Sequence, residues 1–138
     1  MEKIDNKVEY KDWNDTKIMK HTCHLDFVDF SQANIKRCED VFHPLDSWSL
    51  SDWATAAVGE LGEACNLIKK LNRGENIPLD LIAEELADCV TYIDLLATRM
   101  EKELMYELIK KFNKVSNKKG SDEYLRGNVP QRQFFNIT

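Results

Sequence analysis

The chain has 138 residues, 43% of them hydrophobic and 31% charged, with a formal net charge of -5. Length and composition predict one domain with a single core, and the acidic balance argues against a general nucleic-acid binder, which needs a basic face to neutralise phosphates. No apolar run reaches the ~18 to 20 residues of a membrane span, and the polar start MEKIDNKVEYKDW is unlike a signal peptide, so a soluble, cytoplasmic protein without a membrane partner is expected.

Residues 1–25 read as an N-terminal extension without helical periodicity. Within them, His21-Thr22-Cys23-His24 places soft ligands side by side, without the i, i+3 or i, i+4 spacing that zinc sites exploit. The other cysteines, Cys38, Cys65 and Cys89, form no C-x-x-C motif. Two of the four fall in apolar helical runs, where a reduced thiol packs as a small hydrophobe.

A first helix is predicted from Asp26 to about Asp40, ahead of the turn Phe42-His43-Pro44. A second begins at Ser49, where Ser49-Leu50-Ser51-Asp52 has the form of a capping arrangement, and stops at Arg73-Gly74. Its apolar positions Leu50, Trp53, Ala57, Leu61, Ala64, Ile68 and Leu71 keep a three-to-four residue period. The small residues Ala54, Ala56, Ala57, Gly59, Gly62 and Ala64 predict close approach of a packing partner or a ligand, since each helical glycine costs ~1 kcal/mol against alanine.

A third helix is predicted after Pro78, carrying Leu79, Ile82, Leu86, Cys89, Ile93, Leu96, Ala97 and Met100. A fourth, after a break near Glu101 to Glu103, holds Leu104, Leu108, Ile109, Phe112 and Val115 before Gly120. Residues 121–138, with Gly127 and Pro130, read as a tail. The expected fold is therefore all-α, a bundle of about four to five helices over residues 26–120 with antiparallel neighbours. Its apolar surface is too large for one short chain to cover, so association through helix packing into a homodimer or homotetramer is expected.

Four acids stand out. Glu60 and Glu63 lie on the second helix, Glu85 and Asp88 on the third, and i, i+3 spacing puts each pair on one face, ~5 to 6 Å apart at Cβ. Ordinary surface acids are the bland reading. Against it, none of the four has a basic residue three or four positions away on its own helix. Glu60 and Glu85 also line up with apolar core positions, where an unpaired carboxylate is costly. Two such pairs on adjacent helices form the hard, all-oxygen, partly open shell that magnesium prefers, with manganese as an alternative ion. The Glu-x-x-His pattern of di-iron bundles is absent.

This pattern, two acid pairs separated by a helical hairpin, resembles the metal motif of the all-α nucleoside triphosphate pyrophosphohydrolases. These form the MazG-like group, which includes dimeric dUTPases and dCTP pyrophosphatases. The surrounding segments are similar too: WSLSDWA at 48–54, GELGEA at 59–64, KKLNRG at 69–74, EELADCV at 84–90 and KFNKVS at 111–116. The resemblance implies a catalytic domain at 26–120 that hydrolyses a nucleoside triphosphate to monophosphate and pyrophosphate. It implies that Glu60, Glu63, Glu85 and Asp88 are the metal-holding and catalytic residues.

Asn66 and Lys70 continue the face of Glu63 and are expected beside the substrate's phosphate or ribose. Lys111 and Asn113 match the family's phosphate-side segment, whereas the other lysines of the fourth helix are better read as offsetting its negative C-terminal end. Trp48, Trp53 and Tyr92 are candidates for stacking on a base. Tyr92, one turn beyond Asp88, is the stronger candidate; Trp53 suits core packing equally well, and His43 reads as a turn residue. Two other readings remain: a nucleotide-binding module of the same fold without catalysis, and a purely structural helical bundle.

Overall fold

A computed structural model describes residues 26–127. Among these residues the chain is all-helical, and no helix is long and apolar enough to cross a membrane. The N-terminal extension with its His21–His24 run, and residues 128–138 of the tail, lie outside the described residues.

Helix α1 spans Phe27–Arg37, capped by Asp26, whose carboxylate accepts from the Val28 N–H at 2.7 Å. One π-helical turn, Cys38–Phe42, and a 3₁₀ turn, Leu45–Ser47, then carry the chain around Pro44. Helix α2, Leu50–Asn72, starts with the predicted capping box: the Ser49 hydroxyl accepts from the Asp52 N–H, and the Asp52 carboxylate accepts from the Ser49 N–H. It stops where Gly74 turns left-handed at φ 87°. Helix α3, Leu79–Arg99, follows Pro78. The break after it is centred on Glu101, a non-glycine residue at φ 58°. Helix α4, Leu104–Lys119, ends on left-handed Gly120.

Helices α2 and α3 pack along most of their length as an antiparallel hairpin. The Trp53 ring lies 6.2 Å from that of Tyr92, and seven residues further along α2 and earlier along α3, Glu60 meets Glu85. Helix α1 lies on α3. The core forms where these pieces converge: Cys38, Leu45, Trp53 and Leu95, with Ile35, Trp48, Tyr92 and Leu96 packed around them. The Trp53 indole N–H donates to the Leu45 carbonyl at 3.2 Å, so the 3₁₀ turn is tied to α2 by the same side chain that fills the core.

Several expectations meet a different arrangement. Ala57 and Ala64 are buried, but a side chain added at Gly59 or Gly62 would meet nothing within 4 Å, so these glycines serve no close packing among the described residues. Cys65 is exposed, whereas Cys38 and Cys89 are buried. Helix α4 touches α3 only sparingly and leaves Leu108, Phe112 and Val115 exposed. On α2, Leu61, Cys65 and Ile68 form an exposed row at i, i+4, i+7. On α3, Leu86, Val90 and Ile93 form another. The hairpin thus carries acids beside one edge of its seam and apolar side chains beside the other.

The start of the tail runs back along α4. The Asn113 amide takes both backbone groups of Leu125, accepting its N–H at 2.8 Å and donating to its carbonyl at 2.9 Å. Gly127 lies against the Ile109 side chain, whose terminal methyl would have to shift to admit a side chain there.

Candidate metal and nucleotide site

The antiparallel register of α2 and α3 brings three of the four predicted acids together. One oxygen each from Glu60, Glu85 and Asp88 lies within 4.8 Å of the others. Glu63 stands outside this close group. It is still near enough to Glu85 that its charge is the largest electrostatic influence there. Loss of hydration pushes the Glu85 carboxyl above its usual range, with the charges of Glu63, Glu60 and Asp88 and a hydrogen bond with Glu60 adding to the rise. None of the ion pairs among the described residues involves any of these four acids. An oxygen-only donor set of clustered carboxylates without basic partners fits a hard divalent cation.

Two concavities flank the acids. A shallow one of about 390 Å³ lies along the outer face of α2, where Glu63, Asn66 and Lys70 gather with Glu85. The i+3 and i+7 spacing from Glu63 produces this grouping, and the absent side chains of Gly59 and Gly62 leave room for it. Asn66 and Lys70 are therefore placed with an acid as predicted.

The second, about 340 Å³, lies between α1, α2 and α3. Glu60 and Asp88 line it together with Trp48, Trp53, Tyr92 and His43. The His43 ring packs against Trp48 at 4.4 Å between centroids, and Trp48 against Trp53 at 4.7 Å, the planes tilted by 32° and 51°. Trp53 is both core and wall: it is 1% exposed yet faces this space. His43 does more than make a turn. Its Nδ1 pairs with the Ser47 hydroxyl at 2.9 Å and lies 3.1 Å from the Pro44 carbonyl, fixing the ring against the tryptophans. The Phe-His-Pro turn concealed this role, because nothing in the spacing shows that the π-helical and 3₁₀ turns fold the ring inward.

Lys111 and Asn113 line neither concavity. Lys111 is exposed on α4, and Asn113 is occupied by Leu125. Sequence reasoning also missed Asn34 and Arg37 of α1, which line the aromatic cavity; their only signal was a polar residue inside an amphipathic helix. No protein-family model, curated protein or solved structure matches the chain.

Proposed function

We propose that the protein is a magnesium-dependent nucleoside triphosphate pyrophosphohydrolase of the MazG-like kind, producing a monophosphate and pyrophosphate. One observation carries this reading: Glu60 and Asp88, which converge with Glu85, also line the cavity walled by Trp48, Tyr92 and His43. A carboxylate cluster alone suits many cations. A cluster beside a cavity that presents aromatic faces suits a ligand with a flat apolar part and an anionic part, which is the chemistry of a nucleotide.

In this reading Glu60, Glu85 and Asp88 hold magnesium, with Glu63 completing the acidic shell; manganese satisfies the same donors. When bound, the ion supplies Lewis acidity toward phosphate oxygens and an attacking water. Trp48 and Tyr92 hold the base. Asn66 and Lys70, on the Glu63 side, hold the outer phosphates and offset the charge that builds on departing pyrophosphate. Held at both ends in this way, a triphosphate would present its α-phosphorus beside the carboxylates.

The exposed rows Leu61–Cys65–Ile68 and Leu86–Val90–Ile93 support a homo-oligomer, and the free thiols of Cys38, Cys65 and Cys89 suit the reducing environment of the cytoplasm. Incubation of a panel of deoxynucleoside triphosphates with magnesium tests the assignment. Pyrophosphate release from at least one supports it; no turnover of any refutes it.

A further inference from the structure

We infer that Asn34 is a specificity-determining residue that reads the hydrogen-bonding edge of the base, accepting from an N–H there. The inference rests on the proposed placement of the base in the aromatic cavity.

Asn34 is 4% exposed and lines that cavity from α1. Its amide is held in one orientation. The amide nitrogen lies 3.0 Å from the Thr91 carbonyl oxygen, which can only accept, and 3.0 Å from Asp94 Oδ2. Both amide hydrogens are therefore used on α3, and the carbonyl oxygen is forced to the opposite side. There it accepts from Arg37 Nη2 at 3.3 Å, which leaves one of its two lone pairs. Asp94 is 1% exposed and, like Asn34, belongs to no acid pair or apolar stripe of the sequence pattern.

A tie between α1 and α3 needs only the two amide hydrogens. It does not require this buried side chain to line a cavity with its carbonyl held against a guanidinium that also lines it. Together Asn34 Oδ1 and Arg37 offer an acceptor next to a donor. They complement a heterocycle presenting an N–H next to a carbonyl or ring nitrogen, an edge that sugar and phosphate lack. A buried acceptor left without its N–H loses a desolvated hydrogen bond, so this contact discriminates strongly. Asp94 and Thr91 act as positioning groups, because they fix which end of the amide faces the base.

The test compares the protein's preferred triphosphate, chosen from the panel with magnesium, with the same triphosphate methylated until its base edge has no N–H. The wild-type protein should lose roughly tenfold or more in kcat/KM on methylation, mainly through KM. The double variant Asn34→Leu/Asp94→Leu removes the acceptor without leaving a buried charge unpaired. Its ratio between the two substrates should fall toward one, while the product from either remains pyrophosphate. Equal turnover of both substrates by the wild-type protein would overturn the inference without any variant. So would a cooperatively folded double variant that keeps the wild-type ratio. Both results leave pyrophosphate release intact, so they are distinct from failure of the proposed function, in which no triphosphate yields pyrophosphate and this inference falls with it.

Discussion

Glu60 of α2 and Glu85 of α3 meet across the helical hairpin, close enough to share a hydrogen bond when Glu85 is protonated. With Asp88 completing the group, three carboxylate oxygens crowd within 4.8 Å. Such crowding opposes folding in the absence of a cation and favours cation binding. Magnesium at ten times its dissociation constant should stabilise the fold by about 1.4 kcal/mol, raising Tm by about 3 to 6 °C. Glu85→Gln should abolish that rise while leaving the metal-free Tm unchanged or higher. Differential scanning calorimetry with and without magnesium checks both, and an undiminished magnesium response in the variant would remove Glu85 from the site.

The clustered rings of His43, Trp48 and Trp53 give a spectroscopic handle. Binding of a nucleotide should quench tryptophan fluorescence, and Trp48→Ala should raise KM while costing clearly less stability than truncation of Trp53, since Trp48 is only partly buried at the edge of the core. Trp53→Ala should instead lose ~3 to 5 kcal/mol of stability, because Trp53 fills the core. Equal destabilisation by the two substitutions would show that Trp48 is a core residue and not a binding surface.

The capping box makes the start of α2 acid-sensitive. Hydrogen bonds from the Ser49 hydroxyl and N–H hold the Asp52 carboxyl below its ordinary value of 3.8. A depressed folded value means that the contribution is present above the unfolded value and is lost as pH falls through the folded one. The stability gap between the wild-type protein and Asp52→Asn should therefore be constant near neutral pH and close as pH drops below about 3.8. Urea unfolding at a series of pH values measures it. A gap that widens in acid would contradict the assignment.

The paired apolar rows predict association. Leu86→Lys, placed centrally among them, should shift sedimentation toward the monomer, whereas a lysine at exposed Ser51 should not. A wild-type protein that sediments as a monomer at micromolar concentration would leave those rows without a partner copy.

The helices and their ends were legible because local chemistry sets them: Asp26 and Ser49 as caps, Gly74 and Gly120 as stops, Pro78 before α3. The meeting of Glu60, Glu85 and Asp88 was legible from i, i+3 spacing on two helices joined by a short loop. Other features depend on contacts distant in sequence. The Asn34–Asp94 bond joins residues on different helices, and the inward fold of His43 depends on two irregular turns with no periodic signature. Asn113 lay in the segment expected beside phosphate, yet the first residues of the tail occupy it. Gly59 and Gly62 suggested either close helix packing or room for a ligand, and they open a concavity beside Glu63. A glycine's missing side chain serves either purpose, and sequence alone does not separate them.

Hydrolysis in ¹⁸O-labelled water, followed by ³¹P NMR of the products, tests the central claim most directly. If the carboxylate group and the aromatic cavity place the α-phosphorus beside the attacking water, magnesium-dependent turnover of a triphosphate will yield pyrophosphate without label and a monophosphate carrying it, with no diphosphate at any time. Labelled orthophosphate with accumulating diphosphate would place attack at the γ-phosphorus and contradict the account.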